Sequence, residues 1–417
     1  MDRFRGYPLG AWFVLATGVV FGLRTAAVMW FGRADMFALN FKVYYYAAET
    51  AMAGGDFYAA TPPDWPAYRY LYPPLSVLAF YPAAVPGSWV PGFLVHTAGA
   101  AAFGAAGGVL LGRYVERAGR SLSRLDYGLI VGFLVLSIHS VPSVFYGNVN
   151  VQLAALTVAG FVALDRGREE LSGVAFALAA FIKVFPALFG VWFLRRRAWR
   201  AVGAAVGTGL GLLALGVPVF GVGTTRTYLE EALFPRNRAE LFQGGLDPNS
   251  AYITLRRPLS VAFPEMDPTL LVALPFLLLA PVVCYLYTGV DDRVDRLVAI
   301  HGTVTATLLA LPSYFIYYVY LAFPLVALLY LMDDRPSRTA FVAGAFVANL
   351  SFTLNNAENV VRLLPEAVRP ALFAVVRPLF TFASPIEYGM LLMLAACVVY
   401  RRRQGGAAVR TDASAAA

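Results

Sequence analysis

Charge is scarce in this chain. Of 417 residues only 14% are charged, 59% are hydrophobic, and mean hydropathy is +0.64. An ordinary soluble domain carries nearly twice that charged fraction, so a soluble globular protein is excluded. Cysteine is nearly absent: Cys284 and Cys397 both lie inside apolar runs, which excludes a disulfide framework and a CxxC redox motif. They read as small core hydrophobes. The three histidines, His96, His139 and His301, stand apart without metal-ligand spacing and read as buried, hydrogen-bonded groups. No Walker A loop, strand-borne GxGxxG, HExxH or Ser/His/Asp signature occurs. The expected outer loops also lack the Asp-x-Asp pair that would hold a metal-bound nucleotide sugar. Lysine occurs twice, at Lys42 and Lys183.

What the chain does have is apolar runs of roughly 20 residues from end to end, long enough to cross a hydrocarbon core of about 30 Å. The fold class is all-α polytopic membrane protein. The first run, Leu9 to Phe31, is too long for a signal-peptide core and reads as a retained span. The net charge of +8 comes mainly from arginines in short loops between apolar runs. That pattern reads as positive-inside topology rather than nucleic-acid binding. It puts both termini in the cytoplasm of a multi-pass cell-membrane protein and gives about ten crossings. Outer loops are expected at 32–73, 146–150, 221–268 and 355–383, within a single transmembrane domain over 1–404. A disordered cytoplasmic tail is expected at 405–417. Two segments break the pattern. The short Pro-bounded piece 74–85 is expected to lie along or dip into the membrane. The stretch 171–194 has basic flanks and a central Lys183 and Pro186, so it predicts a re-entrant hairpin broken at the proline.

The first outer loop concentrates candidate chemistry. Asp35, Glu49, Asp56 and Asp64 are candidate general bases. Its tyrosines, with Trp65, suit stacking on sugar rings as well as an interfacial aromatic belt. Val43 to Ala53 predicts an amphipathic helix ending at Gly54-Gly55. Lys183 is the sharpest single residue, because a mid-bilayer lysine costs about 2.5–3.5 kcal/mol and calls for an acid or an anion. Asn148 and Asn150 sit where unpaired amides are costly, as helix caps or as sugar ligands. Arg226, Arg236, Arg238, Arg256 and Arg257 could clamp phosphate. Asn249-Ser250 reads as the N-cap of a short helix. Asp291-Asp292 and Asp333-Asp334 read as cap or loop charges.

Ordered landmarks then carry a family resemblance. They are Val43-Tyr44-Tyr45 with Gly54-Gly-Asp-Phe-Tyr58, Tyr70-Leu-Tyr-Pro-Pro74, Gly147-Asn-Val-Asn150 and Lys183-Val-Phe-Pro186. In the second half, Asn249-Ser250, Arg256 and Pro312-Ser313 agree in general character. In these features the chain resembles the DUF2029, or glycosyltransferase family 87, membrane proteins, which include polyprenyl-phosphate-mannose-dependent mannosyltransferases. The resemblance implies a GT-C-like architecture with no cofactor or metal. It also implies a polyprenyl-phosphate sugar donor and a lipid or glycan acceptor, with inverting transfer of a mannose-like hexose outside the cytoplasm. The implied donor-phosphate and sugar contacts are Lys42, Tyr45, Tyr72, Asn148, Asn150, Lys183, Arg256 and Arg257. Asn40 stands where the family shows an acid, and an amide cannot act as a base, so either another acid such as Asp35 or Asp56 takes over or catalysis is altered or lost. Two further departures are Asn148 for the family's glutamine and Tyr317-Tyr318 for a His-Tyr pair. The competing reading is a non-catalytic or transport protein for lipid-linked sugars on the same scaffold.

Overall fold

The computed structural model describes residues 8–233 and 239–415, with side chains over 8–233 and 241–404. Among the described residues there are helices and no strand, only an isolated antiparallel bridge between Tyr252 and Tyr314. The helices used below are α1 (Leu9–Gly32), α2 (Leu39–Met52), α3 (Trp89–Arg117), α4 (Asn150–Asp165), α5 (Glu169–Ile182), α6 (Trp199–Thr227), α7 (Arg256–Ala262), α8 (Pro268–Leu286), α9 (Arg335–Asn349) and α10 (Pro385–Ala415). The tail expected to be disordered at 405–417 lies outside the described side chains.

Four described helices are long and apolar enough to cross a membrane: α1, α3, α6 with its continuation to Leu233, and α8. A fifth span results if Glu366–Phe382 and Pro385–Gln404, bent by 70°, count as one. Shorter apolar helices occupy Pro74–Ala84, Asn150–Asp165, Phe185–Arg195 and Phe315–Leu331. Along α6, Val206, Leu210, Leu215, Val219 and Val222 are exposed, an apolar surface suited to lipid rather than water. On α8 the exposed residues include Cys284, which therefore lies outside the core it was expected to join.

The chain forms two compact units. One comprises Gly22–Tyr114 and Leu122–Asn237, here the N-terminal unit; the other comprises Met1–Phe21, Val115–Ser121 and Arg238–Ala417, the C-terminal unit. In the N-terminal unit α5 packs on both α4 and α6. Gly173 allows this, since a Cβ there would overlap the Ala201 carbonyl. In the C-terminal unit α9 and α10 cross at Gly344 and Gly389, where a Cβ on either would collide with the other's backbone. Small residues at such crossings let helices gain contact where lipid supplies no hydrophobic drive. The aspartate pairs act as expected: Asp292 caps Arg293–Ala310 and Asp334 caps α9.

Candidate functional site

The N-terminal unit brings the two glycine/asparagine and lysine/proline landmarks together. Helix α5 stops at Ile182, one residue before Lys183, whose backbone turns extended (φ −126°, ψ 115°) ahead of Pro186. A helical Pro186 would lack the N–H that bonds to the Ile182 carbonyl and would crowd that carbonyl, which favours a break here; the chain resumes as the 3-10 segment Phe185–Gly190 with proline in its first turn. The break delivers the Lys183 ammonium, in a residue 6% exposed, to Asn150 Oδ1 at 2.7 Å and Asn148 Oδ1 at 3.2 Å. Asn150 Nδ2 in turn donates to Ser143 Oγ at 3.1 Å. Neither asparagine caps a helix: α4 starts after Val149 with no side-chain cap. Gly147, at φ 68°, makes the turn, and a Cβ there would strike Phe41 of α2.

Helix α2 carries the first landmark. It begins at Leu39, earlier than expected, and ends before Gly54 at φ 76°. It is not amphipathic: Phe41, Lys42, Val43, Tyr44, Tyr45, Ala47 and Ala48 are all buried. Burial all round requires its polar groups to be partnered inside the chain, and several are. Lys42 Nζ lies 3.0 Å from Asp64 Oδ2 and 4.5 Å above the Trp89 ring. Tyr44 and Tyr72 share a hydroxyl contact at 2.9 Å, and Tyr58 donates to the Tyr72 carbonyl at 2.6 Å. Tyr70 and Ser76 pair at 2.7 Å, fixing the Tyr72-Pro-Pro turn. Tyr45 donates to Glu49 at 3.2 Å. Burial, then the Glu49 charge, raises its phenol pKa, so it remains a neutral donor.

The first-loop acids are not equivalent. Asp35 is exposed on the one-turn segment Ala34–Met36. Asp56 is exposed and accepts the Tyr58 N–H at 3.0 Å, a turn role. Asn40 is half-buried near the start of α2. Asp64 alone is shown paired to a buried cation, with its own side chain 68% exposed. An isolated histidine joins this cluster too: the ring of His96 of α3 lies tilted 5.2 Å from that of Phe41 and contacts the Gly147 and Asn148 backbone. Its place, and those of Ser143 and Trp89, had no signal in the sequence, since each reads as an ordinary residue of an apolar run.

The C-terminal unit assembles a second cluster. Ile253 N–H donates to Ser313 O at 2.8 Å and Phe315 N–H to Ala251 O at 2.9 Å. The two second-half motifs therefore lie side by side, and the Tyr252 and Tyr314 rings stack at 4.4 Å. Asn249-Ser250 does not cap α7, whose start has Leu255 at the cap. Asn249 Oδ1 instead accepts the Asn355 N–H at 2.8 Å, at another helix start. Arg257 is fully buried; its Nε donates to Thr381 O at 3.3 Å and its Nη2 to Pro248 O at 2.9 Å and to Phe380 O, while Nη1 makes no hydrogen bond. Its Nη1 lies 3.9 Å from Glu387. Arg256 is 2% exposed and sits 5.8 Å from the Phe242 ring centroid. Burial lowers both guanidinium pKa values, and Glu387 opposes this at Arg257. Arg236 and Arg238 lie outside the described residues; Arg226 pairs with Glu230 at 2.8 Å on the surface. Among the described residues no group of three His, Cys, Asp or Glu is placed to hold a metal.

Residues 70–312 match the model of glycosyltransferase family 87. The chain belongs to that family. The matched region contains Tyr72, both asparagines, Lys183 and both buried arginines, while α2 and Asp64 precede it. A curated relative is the polyprenol-phosphate-mannose-dependent alpha-(1-2)-phosphatidylinositol pentamannoside mannosyltransferase of Mycolicibacterium smegmatis. It is 32% identical over 179 residues, covering 42% of this family 87 chain and 40% of the relative. The alignment thus spans less than half of either protein. No solved structure matches.

Proposed function

We propose that this family 87 protein is a membrane glycosyltransferase that moves a mannose-like hexose from a polyprenyl-phosphate donor to a lipid or glycan hydroxyl on the extracytoplasmic face. The observation that carries the reading is the buried Lys183 ammonium on Asn148 and Asn150, in a region matching a glycosyltransferase family. The relative's dependence on a polyprenol-phosphate sugar supports the donor class.

In the proposed reaction the acceptor oxygen attacks the anomeric carbon, the bond from that carbon to the phosphate oxygen breaks, and configuration inverts. The acceptor proton passes to a carboxylate, and the departing polyprenyl phosphate gains negative charge. Lys183 meets that charge as a compact ammonium, preoriented by two amide oxygens. Lys42 supplies a second cation, and Tyr45 and Tyr72 supply neutral hydroxyl and ring surfaces to the sugar. For the base we favour Asp64 over Asp35 and Asp56, because Lys42 anchors it to α2 through Oδ2. Asn40 then orients the acceptor rather than deprotonating it. The topology that goes with this reading has about ten crossings. The shorter apolar helices complete the count, the break at Lys183 is the tip of a re-entrant hairpin, and both termini are cytoplasmic.

The test is transfer by purified protein from a labelled polyprenyl-phosphate mannose, with Asp35→Asn, Asp56→Asn and Asp64→Asn compared. Loss confined to Asp64→Asn supports the assignment; full activity of that variant refutes it. Asn40 favours a second reading, a translocator or binding protein for lipid-linked sugars. Donor left unconsumed with no glycosylated product, alongside movement of that intact donor across vesicles, would select that reading.

A further inference from the structure

We propose that the basic turn at 195–200 of the N-terminal unit docks the headgroup of an anionic phospholipid of the surrounding bilayer. The inference goes beyond the transfer reading and holds whether or not that reading does. Two apolar surfaces meet at this turn. The helix Phe185–Arg195 exposes Leu188, Val191 and Leu194, and α6 exposes Trp199, Val206 and Leu210, which are spaced along one helical face. Helical backbone runs from Trp199 to the break at Gly221 (φ 88°, ψ 160°). That is about 33 Å at 1.5 Å per residue, the thickness of a hydrocarbon core. The turn therefore falls at one edge of the bilayer, where an exposed tryptophan marks the headgroup level.

Arg195, Arg196, Arg197 and Arg200 are all exposed there. Arg200 lies 3.7 Å from Glu170, both side chains mostly open to solvent. Arg196 and Arg197 have no carboxylate partner among the described residues. Orienting a chain in the membrane needs only basic residues near a span, but the backbone here asks for more. Arg197 closes the turn at φ 54°, its N–H on Leu194 O at 3.1 Å and the Ala198 N–H on Phe193 O at 3.0 Å. Glycine is the usual residue at such a helix end, because a side chain in the left-handed region is strained. Among the described residues, positive φ is otherwise left to glycines and Ala38. The strain at Arg197 keeps a guanidinium beside its neighbours at headgroup level. Guanidinium forks match a phosphodiester, their unpaired charge favours a lipid with net negative charge, and its acyl chains lie along the flanking apolar surfaces.

The test uses full-length protein reconstituted in phosphatidylcholine vesicles containing phosphatidylglycerol. One lipid or the other is supplied brominated, and the quenching due to Trp199 is the part lost in Trp199→Phe. Wild-type Trp199 is expected to be quenched by brominated phosphatidylglycerol well beyond that lipid's share of the bilayer. Arg196→Gln and Arg197→Gln should each lower the preference roughly fivefold, and the double variant should be quenched according to bulk composition. Arg197→Gly should lose the same preference as Arg197→Gln yet melt no lower than wild type, because the backbone strain has gone. The proposal is overturned if wild-type quenching follows bulk composition, or if the double variant keeps the preference. It is equally overturned if Arg197→Gly melts well below wild type, since the side chain would then serve the fold.

Discussion

The two units bury cations in different ways. In the N-terminal unit Lys183 rests on two amide oxygens, Asn150 at 2.7 Å and Asn148 at 3.2 Å. In the C-terminal unit Arg257 is immobilised by three backbone carbonyls and a carboxylate. Amide oxygens position an ammonium without neutralising it, which suits the anion-facing role proposed for Lys183. A carboxylate neutralises its partner, so Arg257 acts as a brace between α7 and α10. Full burial of a cation therefore does not identify a ligand site; the chemistry of its partners does.

The comparison can be broken from either side. Glu387→Leu should have the largest effect on folding, because it leaves Arg257 buried without its carboxylate. Losing one partner of a buried pair costs about 3–5 kcal/mol, visible as a large fall in melting temperature; an unchanged melt would remove the brace. Asn150→Leu should cost less, about 1.5–3 kcal/mol for a hydrogen bond to a charged group, and should impair transfer more than melting. Gly147→Ala should destabilise by about 1–2 kcal/mol from its left-handed backbone, plus the clash with Phe41; a crystal or cryo-electron structure with Phe41 unmoved would contradict this. Asp64→Asn should change stability least, by roughly 0–1 kcal/mol for so exposed a pair, while still abolishing transfer.

These contrasts also mark what the sequence made readable. Lys183 and Pro186 were legible because a lysine and a proline inside an apolar run have no bland place to go. The break, the family landmarks and the helical membrane class followed from that kind of local signal. The aspartate caps were legible for the same reason, since each sits directly before its helix. Pairings across the chain were not. Nothing local couples Lys42 to Asp64 or Arg257 to Glu387, so both arginines looked like equal phosphate clamps. Asn249 carried the right residue type for a cap, but tertiary packing gave it to the helix at Leu354–Arg362. The all-round burial of α2 escaped the periodicity because its inward tyrosines and Lys42 count as polar until their partners are known.

The most direct test of the account is Lys183→Met, a chain of similar length without charge. Transfer from a polyprenyl-phosphate sugar is predicted to fall roughly 10²–10³-fold, as for loss of a group that stabilises developing charge, with the melting temperature kept within a few degrees. Wild-type turnover in Lys183→Met, at unchanged donor affinity, would contradict the account.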